Sequence, residues 1–234
     1  MTAIGLNGQP TSSYFLGAWG NIICAIIGLK VHVKGTAPKP PFFFVSNHLS
    51  YVDVMVLCKT TKSLFVAKNE VKSWPIFGII ARTIGMIFVD RDKKSDVTRV
   101  NAEISDRLAR NYGVTIFPEA TTSPGHEILP FKTSLLAYPA AKSIPVHYAS
   151  ITYSTPKDDQ DAYMAISWWG DQTFFNHFIN FLSLRKSSCT ITFCDEPEFN
   201  TDRKELASEL YKKIESTFKP VIEFSEYAKK HTSG

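Results

Sequence analysis

The chain has 234 residues, of which 44% are hydrophobic and 21% are charged, and its formal net charge is +4. This length suits a single domain, and the hydrophobic content is sufficient for a core. The lysines are dispersed and no nucleic-acid-binding motif occurs, which argues against a nucleic-acid partner. Residues 1–72 contain seven Lys against Asp53 and Glu70. This basic third of the chain suits an anionic membrane surface, with ordinary surface lysines as the alternative.

The first apolar segment, residues 14–29, contains no charged side chain. It is shorter than the ~20 residues that a helix needs to cross a bilayer, and no Lys or Arg precedes it as in a signal peptide. Tyr14 and Trp19 are residue types that favour the membrane interface. We therefore expect a helix that lies in, or dips into, one leaflet, with a core helix of a soluble fold as the alternative.

The strand predicted over Phe42–Val45 is soon followed by His48 and Asp53. An imidazole and a nearby carboxylate can form a general base and its orienting partner. The spacing alone is weak evidence, because Ser50 and Asp53 also form a capping box ahead of a helix, and His48 can be a loop histidine. The two interpretations of Asp53 are compatible, since a cap that starts a helix after His48 also holds the carboxylate near the imidazole.

Downstream, apolar strand-like runs alternate with helical patterns, which predicts one α/β domain with a mixed sheet flanked by helices. A strand predicted at 113–117 runs into a polar loop at 118–125, which suits either a polar head group or a solvated turn. The other predicted elements are a strand at 85–91, helices at 95–111 and 133–142, strands at 144–153 and 162–168, and a closing helix at 201–230 interrupted near Pro220.

Four motifs occur in a fixed order between about residues 40 and 150. They are His48-x4-Asp53, Gly85-x-x-Phe88-x-x-Arg91, Phe117-Pro118-Glu119-x-Thr121 and Ile144-Pro145-Val146. In this order they resemble the motifs of the glycerolipid acyltransferases, which include 1-acylglycerol-3-phosphate and other lysophospholipid acyltransferases. Four motifs together are far more specific than any one of them. The resemblance implies a glycerol-3-phosphate acyltransferase-like α/β domain over residues 31–234, preceded by an apolar membrane-associating segment at 1–30.

The resemblance also implies a reaction, in which an acyl thioester gives its acyl group to the free hydroxyl of a lysophospholipid. His48 would be the general base, and Asp53 would hold its tautomer and stabilise the imidazolium. Backbone N–H groups at the helix start after Ser50 are candidates to bind the oxyanion. The side chains implied to bind the acceptor's head group are Arg91, Glu119, Thr121 and Lys132.

The third motif departs from the family pattern. Ala120 stands where the family usually has Gly, and Thr122 stands where it often has Arg. Ala lacks the ready access of Gly to positive φ, so we expect a different loop path, and the loss of Arg removes a bidentate phosphate ligand. The expected acceptor is a lysophospholipid such as 1-acylglycerol-3-phosphate. These changes leave the head group open, and a lyso-lipid without a terminal phosphate, such as a lyso-ornithine lipid, is the alternative. An acyl-thioester hydrolase or a non-catalytic lipid-binding protein is the alternative from another class.

The four cysteines show no paired spacing, and with the scattered histidines they indicate no metal site. We expect reduced thiols, no cofactor, and acyl-CoA or acyl carrier protein as co-substrate, at the cytoplasmic face of a membrane. The aromatic segment at 174–184 is expected to line the acyl channel or to touch lipid, with core packing as the alternative.

Overall fold

The computed structural model describes residues 11–73, 77–83, 85–90, 93 and 96–231. Within these residues, seven strands form one sheet in the order β1-β7-β6-β2-β5-β3-β4. The strands are β1 (Leu29–Lys34), β2 (Phe42–Ser46), β3 (Leu64–Lys68), β4 (Ile87–Val89), β5 (Gly113–Ile116), β6 (Val146–Ser154) and β7 (Ser187–Phe193). Strands β6 and β7 are antiparallel, and the other neighbours are parallel. The predicted mixed sheet is confirmed.

Helices cover both faces of this sheet. Those within the described residues are α1 (Thr11–Ile26), α2 (Val52–Thr61), α3 (Phe77–Thr83), α4 (Asp96–Ala109), α5 (Ala137–Ala141), α6 (Ala162–Ala165), α7 (Phe174–Leu182), α8 (Arg203–Thr217) and α9 (Phe224–His231). Short 3-10 turns lie at Asn69–Ser73 and Thr133–Leu136.

Strand β2 is buried on both faces, which explains its uninterrupted apolar sequence. Phe42 and Phe44 belong to a core that includes buried residues of α1, α2 and α7. Phe43 and Val45 point the other way, into a core with α4 and α8. Successive side chains of β2 therefore pack into the two cores in turn, which fixes the position of the strand and of the loop that follows it.

The structure differs from the sequence prediction at residues 162–168 and agrees with it at residues 201–230. The strand predicted at 162–168 is wrong, because the carbonyl of Asp161 accepts hydrogen bonds from the N–H groups of Met164 and Ala165, which starts the short helix α6. Ala and Met favour a helical backbone. The closing helix at 201–230 and its interruption near Pro220 are confirmed, as α8 and α9.

Helix α1 packs one face on the fold and leaves the other outside. Leu16 and Cys24 are buried, whereas Phe15, Ile22 and Ile26 are 70%, 58% and 72% exposed. Within the described residues, no helix combines the length and the apolar character that crossing a membrane requires. The domain boundary predicted after residue 30 falls inside β1.

The sheet brings two polar loops together. Strands β2 and β5 are parallel neighbours, with Val45 opposite Ile116. The loops that leave their carboxyl ends therefore meet at one edge, where open α/β sheets place their ligands. The first loop carries His48 and the second carries Glu119.

Candidate active site

The imidazole of His48 and the carboxylate of Asp53 are hydrogen-bonded, with 2.8 Å between Nδ1 and Oδ2. Oδ2 also accepts from the backbone N–H groups of Leu49 at 2.7 Å and Ser50 at 3.0 Å, and Oδ1 accepts from the hydroxyl of Tyr153 at 2.6 Å. Asp53 is fully buried, so these four donors replace the water that an ionised carboxylate needs. A carboxylate in this position requires the hydrogen on Nδ1, which leaves Nε2 of His48 as a proton acceptor.

The same contacts start helix α2. Asp53 accepts from the N–H of Ser50, which is one half of the predicted capping box, while Ser50 Oγ accepts from the N–H of Val52 at 3.3 Å. The helix-start contact of Asp53 and its contact with His48 therefore occur together. The N–H groups of Val52 and Asp53 are engaged within the loop, and the oxyanion role expected of the backbone after Ser50 stays a prediction.

Several backbone contacts fix the loop that carries His48. The side chain of Asn47 pairs with both backbone groups of Ile151, at 2.9 and 2.7 Å. The carbonyl of His48 accepts from the N–H of Ser123, and the imidazole stacks on the ring of Phe117 with 3.9 Å between centroids. Phe117 therefore holds the face of the imidazole, Asp53 holds its Nδ1, and Ser123 holds the backbone of His48. The side chain of His48 remains 19% exposed.

Glu119 lies beneath this loop and is 1% exposed. Oε1 accepts from the backbone N–H of His48 at 2.6 Å, and Oε2 accepts from the N–H of Leu129 at 2.8 Å. Burial, with a smaller contribution from the nearby Asp53, raises the pKa of Glu119 to about 8, although the two N–H donors act to lower it. Both oxygens are enclosed, so this geometry does not support a contact with the acceptor's head group. Glu119 instead positions the His48 backbone.

Ala120 has a φ of +65°, in the left-handed region that favours glycine. Whether the loop path differs from that of the relatives stays a prediction. The backbone adopts the conformation for which glycine is best suited, and alanine carries the strain.

A cavity of about 330 Å³ opens beside His48. Most of its wall is apolar, which suits an acyl chain. The wall residues that bear on chemistry or specificity are His48, Tyr51, Met55, Lys68, Thr121, Thr122 and Trp168. Among the described wall residues, Lys68 is the only one with a permanent charge.

The predicted head-group ligands are distributed unevenly around this cavity. Thr121 is exposed and lies in the wall. Lys132 is exposed but outside the wall, and its N–H closes the loop by donating to the carbonyl of Pro118 at 2.8 Å. Arg91 lies outside the described residues. Lys68 was missed because β3 was not predicted; a basic residue at the carboxyl end of a parallel strand is the signal that would have indicated it.

The sequence model of the acyltransferase family matches residues 28–152, which is more than half of the chain. The chain belongs to the acyltransferase family. This confirms the membership predicted from the four motifs, and the matched region contains His48, Asp53 and Glu119.

Two relatives within the family and one solved structure are similar to this chain. It is 37% identical over 153 residues to a lyso-ornithine lipid O-acyltransferase of Rhizobium meliloti (strain 1021), covering 65% of this chain and 50% of that protein. It is 34% identical over 118 residues to a 1-acyl-sn-glycerol-3-phosphate acyltransferase of Neisseria meningitidis serogroup B, covering 50% of this chain and 46% of that protein. The chain therefore spans about half the length of these relatives.

The fold is also similar to the crystal structure of the 1-acyl-sn-glycerophosphate (LPA) acyltransferase PlsC from Thermotoga maritima. The TM-score is 0.63 at 19% identity, over 87% of this chain and 78% of that one. At this identity the likeness concerns the fold.

Proposed function

We propose that this protein transfers a fatty acyl group from an acyl thioester, acyl-CoA or acyl carrier protein, to the free hydroxyl of a lyso-lipid. The observation that carries the proposal is the His48–Asp53 pair at the wall of an apolar cavity. A thioester is already activated, so the enzyme has to supply a base for the hydroxyl and a place for the chain.

In the proposed reaction, Nε2 of His48 takes the hydroxyl proton as the acceptor oxygen bonds to the thioester carbonyl carbon. The tetrahedral intermediate then expels the thiolate, which receives the proton from the imidazolium. The carboxylate of Asp53 stabilises the imidazolium between these two steps. The imidazole remains stacked on Phe117 throughout, which limits its rotation.

The test of this mechanism is a pair of substitutions. His48→Ala is expected to lower kcat by at least about 10³-fold with an unchanged melting temperature. Asp53→Asn is expected to lower kcat strongly. A carboxylate can only accept a hydrogen bond from Nδ1–H, whereas the NH2 group of an amide can donate to Nδ1 and so favour the wrong tautomer of His48. Near wild-type turnover by His48→Ala in an assay with labelled acyl-CoA would refute the mechanism.

For the acceptor, we propose a lyso-ornithine lipid ahead of 1-acylglycerol-3-phosphate. The relative from Rhizobium meliloti is named for that acceptor. An ornithine head group offers a single carboxylate, whereas a terminal phosphate prefers a bidentate cation. Thr122 stands at the wall position where the family often has Arg, and Lys68 supplies one cation there. The acceptor of the Neisseria meningitidis relative, 1-acylglycerol-3-phosphate, is the second candidate.

A panel of lyso-lipids with one labelled acyl-CoA separates these acceptors. We expect the lyso-ornithine lipid to give the higher kcat/KM, and Thr122→Arg to shift the ratio about tenfold or more towards the phosphate acceptor. Thr201→Arg, at an exposed position before α8, is the matched control and should leave the ratio unchanged. A wild-type preference for 1-acylglycerol-3-phosphate would select the second candidate.

We also propose that the protein works at the cytoplasmic surface of a membrane, with α1 as a contact helix. Its exposed residues Phe15, Ile22 and Ile26 lie on one side of the helix. Replacing these three by Ser is expected to reduce flotation with liposomes, and unchanged flotation would contradict the contact.

A further inference from the structure

Helix α7 carries a stripe of large apolar side chains on its outer side. Phe175, Ile179 and Leu182 are 68%, 52% and 46% exposed. Their spacing of four and then three residues places them on one face of the helix. Isolated exposed apolar residues are common on proteins, whereas a contiguous stripe marks an interaction surface. We propose that α7 is a second membrane-contacting helix, which docks on an anionic bilayer beside the pocket.

The inner side of α7 packs into the core of the protein. Phe181 is buried, and His177 is 1% exposed. Phe174 and Phe178 pack on Tyr51 with ring centroids at 5.1 and 6.5 Å. The outer stripe is therefore additional to the packing that holds the helix, and folding alone does not account for it.

The inner side also joins α7 to the active site. Nδ1 of His177 accepts a hydrogen bond from the hydroxyl of Tyr51 at 3.0 Å, and Nε2–H donates to the carbonyl of Ser167 at 3.1 Å. Tyr51 lies between His48 and Asp53 in sequence and forms part of the cavity wall. A bilayer that receives α7 is thus close to the place where a lipid acceptor would enter. In this respect the inference rests on the proposed lipid substrate.

Helix α1 lies on the same face of the sheet as α7, so both helices can contact one bilayer. Its buried Leu16 and Cys24 belong to the same core as Phe181 of α7, so both helices cover the same face of the sheet. Neither helix contains Asp, Glu, Lys or Arg, and both show exposed apolar side chains. One layer of the protein therefore presents two uncharged apolar helices to the outside.

The charges around these helices favour a lipid surface over a second protein. Lys30 and Lys186 are exposed just beyond the ends of α1 and α7. Lys62 of the neighbouring loop lies over the ring of Tyr14 on α1, at 5.0 Å. Apolar side chains with lysines at their margins suit the interface of an anionic bilayer. A helix of nine residues is about 14 Å long, so α7 would lie in the interface and not cross it.

The test uses the full chain and vesicles of phosphatidylcholine with or without phosphatidylglycerol. The triple variant Phe175→Ser, Ile179→Ser, Leu182→Ser is expected to lower the vesicle partition coefficient about tenfold or more, at an unchanged melting temperature. Binding by the wild type should be stronger with phosphatidylglycerol. The control variant Val97→Ser, Phe199→Ser removes apolar side chains that are 50% and 55% exposed outside both helices, and it should bind like the wild type.

Activity assays separate this inference from the proposed function. Acyl transfer by the triple variant should fall on vesicle-borne acceptor and remain at the wild-type level on acceptor dispersed in detergent. Loss of vesicle binding in the triple variant would support docking by α7 even if the wild type proved to transfer no acyl group. Unchanged partitioning of the triple variant would overturn the inference, and so would a wild-type dimer that this variant converts to a monomer without change in partitioning.

Discussion

The hydroxyl of Tyr153 donates a hydrogen bond of 2.6 Å to Oδ1 of Asp53, although 100 residues separate the two in sequence. Burial and the neighbouring carboxylate raise the pKa of Tyr153 well above its ordinary value, so the hydroxyl keeps its proton and remains a donor. The charge of Asp53 is therefore stabilised by hydrogen bonds from neutral donors, and no Lys or Arg is among its hydrogen-bond partners in the described residues. The pair formed by His48 and Asp53 therefore depends on Tyr153 of β6 as well as on the loop that carries His48.

Tyr153→Phe is expected to lower the free energy of unfolding by about 1.5–3 kcal/mol, because it removes a donor from a buried charged group. Chemical denaturation measures this loss. Tyr138→Phe is the matched control, since the Tyr138 hydroxyl makes no hydrogen bond within the described part of the chain. If both variants unfolded at the same denaturant concentration as the wild type, the Tyr153 contact would contribute nothing to stability.

Glu119 is expected to make stability depend on pH. Its pKa is about 8 in the folded chain against an ordinary 4.5, so the folded state holds a proton that the unfolded state releases. The stabilisation is full below about pH 4.5 and is lost as the pH rises towards 8, with a slope of at most about 1.4 kcal/mol per pH unit. Thermal unfolding from pH 5 to 9 should show a steeper decline in the wild type than in Glu119→Gln, whose amide does not titrate. Equal slopes would contradict the raised pKa.

The centre of the sheet could be predicted because its strands are buried on both faces and therefore read as uninterrupted apolar runs, as in Phe42–Val45. Strand β7 was not predicted. Its buried positions are Ser187, Cys189, Ile191 and Phe193, and the first two are too small or polar to show a clear period of two.

One part of the candidate site could be predicted from the sequence, and another part could not. The five-residue spacing of His48 and Asp53 indicated a pair that the structure places 2.8 Å apart. The contact of Tyr153 with Asp53 could not be predicted, since it arises only because β6 pairs beside β2. The position of Glu119 under the backbone of His48 likewise depends on β5 lying on the other side of β2.

Ala120→Gly is expected to stabilise the protein. The left-handed conformation costs an alanine roughly 1–2 kcal/mol, and the added freedom of glycine in the unfolded chain offsets about half of the gain. We expect a net increase of up to about 1 kcal/mol in the free energy of unfolding. Ala102→Gly, at an exposed position inside α4, should show the opposite sign with a loss of about 1 kcal/mol. A destabilised Ala120→Gly variant would contradict the strain assigned to this loop.

Gly20 lies where the backbones of α1 and α2 approach closely. A Cβ at this position would lie 2.4 Å from the backbone nitrogen of Lys59 and 2.9 Å from the carbonyl oxygen of Met55. Backbone atoms in a helix do not move aside, so Gly20→Ala is expected to separate the helices and cost about 1–3 kcal/mol of unfolding free energy. The weakened contact should also expose the half of α1 that is now buried, which a rise in binding of a hydrophobic dye would detect.

Gly17 provides the matched control on the same helix. The three atoms nearest to a Cβ there would be side-chain carbons of Lys62, at 3.1 to 3.3 Å, and a lysine side chain can shift by the few tenths of an ångström required. Alanine also favours a helix over glycine by about 1 kcal/mol, so Gly17→Ala should be neutral or stabilising. Opposite signs for the two variants would confirm that close helix contact, and not helix propensity, explains the glycine at position 20. Equal effects would refute that explanation, because propensity acts alike at both positions.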